Sequence, residues 1–166
     1  MNREEIVAQF MEKAALAAAG AVQVADAEAL SGAVPLLVND AKTVYSPELT
    51  ALEQAAVRDV TFRVQEYLKA DATVEEVLAG IAETGSIVCA SVEGRAVQAS
   101  LLPSHHIAIL PAGKIYPTLE EFFESLGAPP TNIAIITGPS RTADIELTLA
   151  IGVHGPERLD IIVTMF

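Results

Sequence analysis

The first apolar residues of the chain recur with the spacing of one helical face: Ile6, Val7, Phe10, Met11, Ala14, Ala17 and Ala18. This period predicts a helix over residues 2–19. Asn2 and Glu5 stand at the two positions of a capping box. Gly20 predicts the end of the helix, because glycine accepts the backbone conformation that commonly terminates one.

Short apolar runs and helical segments then alternate. Ala21–Val24 and Ala33–Val38 predict two strands, separated by a brief helix that Asp26 caps. Ser46 and Pro47 predict another helix start, because proline at the first helical position loses no hydrogen bond. The predicted buried face of this helix consists of Leu49, Leu52, Ala56 and Val57.

Two stretches in the middle of the chain allow two interpretations each. Val60–Val64 alternates like a half-buried strand, but it also fits a continuation of the preceding helix. Ala72–Val74 predicts a short strand, whereas Thr73 with Glu76 fits a helix capping box. In either case we expect a helical face that ends at Gly85 and contains Val77, Leu78 and Ile81.

The second half of the chain alternates more regularly. Its apolar runs predict four strands: Ser86–Ala90, His106–Leu110, Asn132–Thr137 and Leu159–Thr164. A turn is expected at Glu93 and Gly94, and a helix from about Thr142 to Ile151. Pro117–Glu121 resembles a capping box and predicts a helix that ends at Gly127 and buries Leu119, Phe122, Phe123 and Leu126.

This alternation predicts one α/β domain over residues 1–166, with a mostly parallel sheet, helices on both faces and right-handed crossovers. The nearly continuous apolar character of His106–Leu110 is typical of a strand buried on both faces. A chain of 166 residues with 51% hydrophobic content can bury a core without disulfides or metals.

The net charge and the cysteine content limit which partners, cofactors and compartments are expected. A formal net charge of -12 disfavours nucleic acid as a partner, but a small anionic ligand is still compatible. Cys89 is the only cysteine, so we expect no disulfide within the chain and no iron–sulfur cluster or other cofactor bound by this chain alone. The sequence shows no secretory leader and no membrane span, so we expect a cytoplasmic protein.

The turn from Gly138 to Asp144 is the main candidate site. It lies between a predicted strand and a predicted helix, where free N–H groups favour an anion. Gly138 allows a close approach, Ser140 and Thr142 supply hydroxyls, and Arg141 supplies a planar cation. The alternative is structural: a hydroxyl caps the helix, Asp144 complements its dipole, and Arg141 lies in solvent.

A second candidate is Glu83, a tentative general base at a predicted helix C-terminus, with Thr84 and Gly85 beside it as ligand-binding candidates. The alternative is an exposed acid before a C-capping glycine. His106 and His154 are further ligand-binding candidates, although a structural role fits each of them. Because no histidine or cysteine spacing matches a metal motif, we predict no metal site.

Four motifs together resemble the lactate utilization protein C family. They are Ala79–Gly85, Ser100–Pro103 with His106–Ala108, Gly138–Glu146 and Gly152–Pro156, in matching order and spacing. The resemblance therefore covers residues 79–166, whereas the first half matches only in its alternation of helix and strand. The chain is shorter than expected for this family, and the deficit falls before Ala79.

The resemblance implies a three-layer αβα sandwich similar to the ribose-phosphate isomerase and CoA-transferase fold. It also implies a subunit of an L-lactate-oxidising system that works with two iron–sulfur partner proteins. Whether this subunit is itself an enzyme stays open; isomerase or transferase chemistry would be an analogy of fold alone. The alternative is a stand-alone enzyme or binding domain for a carboxylate, phosphate or CoA-linked ligand at the Gly138–Asp144 turn.

Overall fold

The structure, a computed structural model, describes residues 1–140 and 155–166. Within these residues the helices are α1 (Arg3–Leu16), α2 (Ala27–Leu37), α3 (Ala51–Ala56), α4 (Gln98–Leu101) and α5 (Leu119–Ser125). The strands are β1 (Gly20–Val24), β2 (Val44–Tyr45), β3 (Arg63–Val64), β4 (Ala72–Glu76), β5 (Ala79–Ile81), β6 (Ser86–Ala90), β7 (His105–Pro111), β8 (Ile115–Tyr116), β9 (Ile133–Ile136) and β10 (Arg158–Thr164).

The strands form two sheets. The larger sheet has six strands in the order β1-β10-β7-β4-β2-β3, and every neighbouring pair is parallel. The smaller sheet has the order β8-β5-β6-β9, with β6 antiparallel to both of its neighbours. The predicted α/β fold with a mostly parallel sheet is therefore confirmed.

Alternation along β7 shows how the layers pack. Ile107 and Ile109 join the core formed with α2 and α3 on one face of the large sheet. Ala108 and Leu110 point to the opposite face, where α1 and the smaller sheet pack. Phe122 of α5 packs against buried residues of β5 and β6 in a separate cluster. Two cores thus enclose the central strand, as its apolar sequence predicts.

Local signals predicted several element ends correctly. The Asn2 side chain accepts a hydrogen bond from the Glu5 N–H at 2.9 Å, and the reciprocal bond completes the capping box of α1. Asp26 caps α2, and Thr118 caps α5. These bonds join residues only three positions apart, so the local sequence determines them.

Two predictions in the first half are wrong. Ala33–Val38 is not a strand: α2 runs on to Leu37, because Leu30, Val34 and Val38 recur every four residues and are fully buried. The helix expected at Ser46 and Pro47 begins later, at Ala51. Thr50 and Glu53 form a capping box there, which sets the start of α3.

The middle of the chain also differs from expectation. Of Val60–Val64, only the last two residues form a strand. The strand interpretation of Ala72–Val74 is confirmed, but the helical face expected at Val77, Leu78 and Ile81 is wrong, because strands β5 and β6 follow β4 as a hairpin.

One side chain of the second half also differs from expectation. Phe123, expected to be buried in α5, is 48% exposed, because Phe122 fills the core position of that helix. The helix predicted from Thr142 to Ile151 falls outside the described residues.

No helix in the described part of the chain is both long and apolar enough to cross a membrane.

Candidate functional site

The Gly138 turn follows β9 and packs against the end of α1. Gly138 has a φ of 72°, and a Cβ atom there would lie 2.0 Å from the carbonyl oxygen of Ala17. Only glycine fits this close approach. The Ser140 N–H donates to the carbonyl of Pro156 at 2.7 Å, which joins the two ends of the described chain on either side of residues 141–154.

A cavity of about 340 Å³ lies at this turn and is lined by residues 134–140, Leu101, Gly155 and Pro156. Of the predicted ligand-binding residues, Gly138 and Ser140 line it. Arg141, Thr142, Asp144 and His154 lie outside the described residues. The anion-binding interpretation of this turn therefore stays a prediction.

Glu83 lies in the turn between β5 and β6, not at the helix C-terminus that the sequence suggested. Its Oε1 atom accepts a hydrogen bond from the N–H of Leu119, the first residue of α5, at 2.8 Å. A carboxylate at a helix N-terminus is favourable because it satisfies a free N–H and faces the positive end of the helix dipole. The structure thus gives Glu83 a capping contact.

A chain of hydroxyl groups connects this turn to the Gly138 turn. The side chains of Thr84 and Ser86 are hydrogen-bonded at 2.7 Å, and Ser86 is bonded to Thr137 at the same distance. Gly85 also packs on α1, since a Cβ there would lie 2.2 Å from the backbone nitrogen of Ala14. The structure therefore brings Thr84 and Gly85 close to the Gly138 turn.

A second group of polar residues lies around β4, and the sequence predicted only one of them, His106, as a ligand-binding residue. We call Glu53, Glu75, Arg95, Ser100 and His106 the buried polar cluster. Glu53 and His106 have no exposed surface, Ser100 and Glu75 are 1% and 4% exposed, and the Arg95 side chain is 10% exposed.

Glu53 is the most fully bonded member. Its Oε1 atom accepts hydrogen bonds from the Arg95 guanidinium and from the Glu76 N–H, the latter at 2.8 Å. Its Oε2 atom accepts from the N–H groups of Leu49 and Thr50 at 2.8 and 3.2 Å. A buried carboxylate needs such partners to offset the loss of its hydration.

Glu75 and His106 lie on adjacent strands of the large sheet. The Ser100 hydroxyl donates to Glu75, and Arg95 approaches its other oxygen at 3.9 Å. His106 Nε2 lies 3.1 Å from Glu75 Oε1, within ion-pair distance. The angle of this contact is not that of a hydrogen bond, and neither ring nitrogen of His106 has a hydrogen-bond partner among the described residues. The imidazole and the carboxylate therefore lie close enough to interact electrostatically, but they are not hydrogen-bonded.

Cys89 on β6 faces the same space. Burial raises the pKa of the Cys89 thiol well above its usual range, and the negative charge of Glu75 acts in the same direction. The thiol is 3% exposed, so its protonated form is favoured as long as no cation lies beside it.

A cavity of about 230 Å³ opens beside the buried polar cluster, beyond the carboxyl end of β4. Its lining includes Glu75, Glu76, Cys89, Arg95 and Lys114. Lys114 pairs with Glu76 at 2.7 Å, and Arg95 is already bound by Glu53. Both cations are neutralised by the protein, so this cavity is less suited to a free anion than to a polar or cationic ligand.

One sequence signal could have identified this cluster. If residues 72–77 are read as a strand, Thr73, Glu75 and Val77 share one face, which places an acid among apolar neighbours. A buried acid of that kind needs a partner, and Arg95 is the nearest later cation in the chain. The capping-box alternative at Thr73 and Glu76 concealed this pattern.

The chain has relatives among known proteins. A family model described as the LUD domain matches residues 7–164. "Lactate utilization protein C" of Deinococcus radiodurans is 31% identical over 176 aligned positions, which cover 98% of this chain and 81% of that protein. The protein of the same name from Exiguobacterium is 36% identical over 99 positions, covering 55% of this chain.

A solved structure agrees in fold. The crystal structure of a DUF162 family protein from Deinococcus radiodurans superimposes with a TM-score of 0.76 and 28% sequence identity, covering 99% of both chains. The share of each relative that the chain matches differs. The matched region spans 43% of the Exiguobacterium protein and 39% of the Macrococcus caseolyticus relative, which is less than half of each.

Proposed function

The chain belongs to the LUD domain family, and from that premise we propose that it acts in lactate utilization, as a subunit of a system that oxidises L-lactate to pyruvate. The observation that carries this proposal is the similarity to a lactate utilization protein C along 98% of the chain. The similarity includes the first half, where the sequence motifs alone gave little support.

We propose iron–sulfur proteins as the partners. Oxidation of lactate to pyruvate releases two electrons and two protons, so the system needs an electron acceptor. Iron–sulfur clusters are held mainly by several cysteine thiolates. This chain has a single cysteine, and it is buried. The division of labour that fits is a cluster-free subunit beside partners that carry the electrons.

Anaerobic co-expression with candidate iron–sulfur partners tests the proposal. We expect the untagged chain to co-purify with them, and lactate to bleach the visible absorption of the clusters only when the chain is present. Omitting the chain is the matched control. If the partners are reduced by lactate equally well without it, or if no complex forms, the proposal is wrong.

A second candidate function is the binding of a small carboxylate, phosphate or CoA-linked molecule at the Gly138 turn. The cavity of about 340 Å³ beside Gly138 and Ser140 favours it. We expect lactate, pyruvate, phosphate or a CoA ester to raise the unfolding temperature of the chain, since a ligand of the native state stabilises it.

The Arg141→Ala variant should lose this thermal shift. Arg63→Ala is the matched control, because Arg63 is bound to Glu48 elsewhere on the surface. A shift that persists in Arg141→Ala would show that the turn does not hold the ligand through Arg141.

A further inference from the structure

Three potential metal ligands from three different strands converge between the sheets. They are Glu75 of β4, Cys89 of β6 and His106 of β7, and one ligand atom of each lies within 4.8 Å of the others. All three residues are buried. We propose that these side chains form a binding site for a divalent cation of the zinc type, with a fourth coordination position open to the cavity of about 230 Å³.

The ligand set favours zinc. Zinc binds thiolate, imidazole and carboxylate together, and zinc sites with an accessible position use three protein ligands. Tetrahedral bonding at zinc–ligand lengths places ligand atoms roughly 3.4–3.6 Å apart. His106 Nε2 and Glu75 Oε1 are 3.1 Å apart. The Cys89 sulfur lies within 4.8 Å of a Glu75 carboxylate oxygen and of a His106 ring nitrogen, so it would have to approach them by no more than about 1.4 Å to complete the site.

His106 provides the second, independent observation. Its ring has no exposed surface, and neither nitrogen has a hydrogen-bond partner among the described residues. Native proteins rarely leave a buried imidazole in this condition, because its hydration is lost without replacement. A coordinate bond from one ring nitrogen to a cation would supply the missing interaction.

The net charge of the buried polar cluster also favours the binding of a cation. With both carboxylates ionised and His106 neutral, as an imidazole that binds a metal must be, Glu53 and Glu75 carry two negative charges against the single positive charge of Arg95. The cluster is therefore one negative charge in excess. When a divalent cation binds, the Cys89 S–H bond breaks, the sulfur–metal bond forms and the proton passes to solvent. Two positive charges then balance the carboxylate excess and the new thiolate.

The remaining cluster residues would orient the ligands. The Ser100 hydroxyl donates to Glu75 Oε1, and Arg95 lies 3.9 Å from its Oε2, so the carboxylate is already fixed. Such outer contacts hold a ligand carboxylate in position for a metal. Because Glu75 and Cys89 also line the cavity, a water or substrate atom can reach the fourth position.

Cobalt titration of the reduced, tag-free chain tests the site. Cobalt(II) takes the place of zinc and gives a thiolate-to-metal absorption band when a cysteine is bound. Since Cys89 is the only cysteine in the chain, such a band reports on Cys89 alone. We expect one equivalent of cobalt to produce the band, one equivalent of zinc to remove it, and one proton to be released per metal.

Two variants and a control complete the test. Cys89→Ala should abolish the band, and His106→Gln should weaken binding by more than about 100-fold, beyond the usual effect of losing an outer-shell contact. His105→Gln is the control, because His105 precedes His106 in β7 but is bonded to Asp160. It should leave the band unchanged.

The wild-type spectrum decides the question even if a variant does not fold. Absence of a thiolate band at saturating cobalt would overturn the proposal, and so would equal cobalt affinity in Cys89→Ala and the wild type. The readout uses the chain alone and does not depend on lactate or on any partner, so its failure would leave the proposed function untouched.

Discussion

The Arg95 guanidinium donates a hydrogen bond to Glu53, a carboxylate with no exposed surface. Glu53 lies in α3 and also accepts from the backbone of Glu76, at the end of β4. One carboxylate thus joins a helix, a central strand and the loop before α4. This relationship makes the buried polar cluster part of the framework of the domain.

Replacing Glu53 should therefore destabilise the fold strongly. We expect Glu53→Ala to lower the free energy of unfolding by about 3–5 kcal/mol, because Arg95 would be left without its main counter-charge. Urea denaturation followed by circular dichroism measures the change. Glu48→Ala breaks the exposed pair with Arg63 and should cost less than about 1 kcal/mol. Similar losses in the two variants would contradict this account.

Gly138 should tolerate alanine less well than Gly127. Both have positive φ angles, but a Cβ at Gly127 meets no atom within 4 Å, whereas at Gly138 it would collide with the Ala17 carbonyl. Gly127→Ala should cost about 1–2 kcal/mol from backbone strain alone. Gly138→Ala should cost about 1–3 kcal/mol more than Gly127→Ala, because its Cβ also overpacks a close contact and overpacking of a core costs that much. Equal thermal unfolding midpoints would disprove the close contact.

The contact of Glu83 with Leu119 predicts a mainly structural effect of its removal. Glu83→Ala should lower stability by about 0.5–2 kcal/mol, in the range found for lost helix caps. Lactate-dependent electron transfer in the reconstituted system separates the two roles. A rate within a factor of two of wild type fits a capping role, whereas a loss of a hundredfold or more with the fold intact would restore Glu83 as the general base.

Asp160 should make stability depend on pH in the acid range. Burial alone would raise the pKa of Asp160, but the hydrogen bond with His105 and the positive charge of Arg158 outweigh it and hold the pKa below its ordinary value of 3.8. The unfolded chain then binds a proton more readily than the folded one. The stabilising contribution is present above that value and is lost as pH falls through the folded-state pKa.

Comparison of the wild type with Asp160→Asn measures this contribution. The difference in unfolding free energy should be largest near pH 5 and should shrink steadily below pH 3.8. Asp59→Asn is the control, since Asp59 is more than half exposed and contacts Arg58 only at 3.5 Å. A difference for Asp160→Asn that does not change with pH would show that its hydrogen bonds matter and its charge does not.

The sequence predicted those parts of the fold that local interactions determine. The capping box of α1 and the strands β6 and β7 depend on residues within a few positions of one another. The helical face expected at Val77, Leu78 and Ile81 was wrong because the pattern of residues 72–81 is ambiguous locally. Their strand conformation is stabilised by pairing with β7 and β6, which lie later in the chain.

The same distinction between local and long-range interactions separates the two candidate sites. The Gly138 turn was predicted as a site because its polar residues are contiguous in the sequence. The buried polar cluster was missed as a group, although His106 was predicted alone, because Glu53 and Arg95 are 42 positions apart and only the strand interpretation of residues 72–77 indicates a buried acid. Cys89 looked like an ordinary buried thiol for the same reason. Only the convergence of three strands places it beside Glu75 and His106.

The order of strands in the large sheet has a consequence for how the chain acquires its structure. Among the described residues, β1 pairs with β10 alone, and Gly20 lies opposite Asp160 in this parallel pair. During translation β1 is synthesised long before β10. The partner strand of β1 is therefore not yet available while most of the domain is being synthesised. Such long-range parallel pairing is slow and leaves a strand edge prone to aggregation. We expect β1 to dock in a late folding step, after β10 has been synthesised.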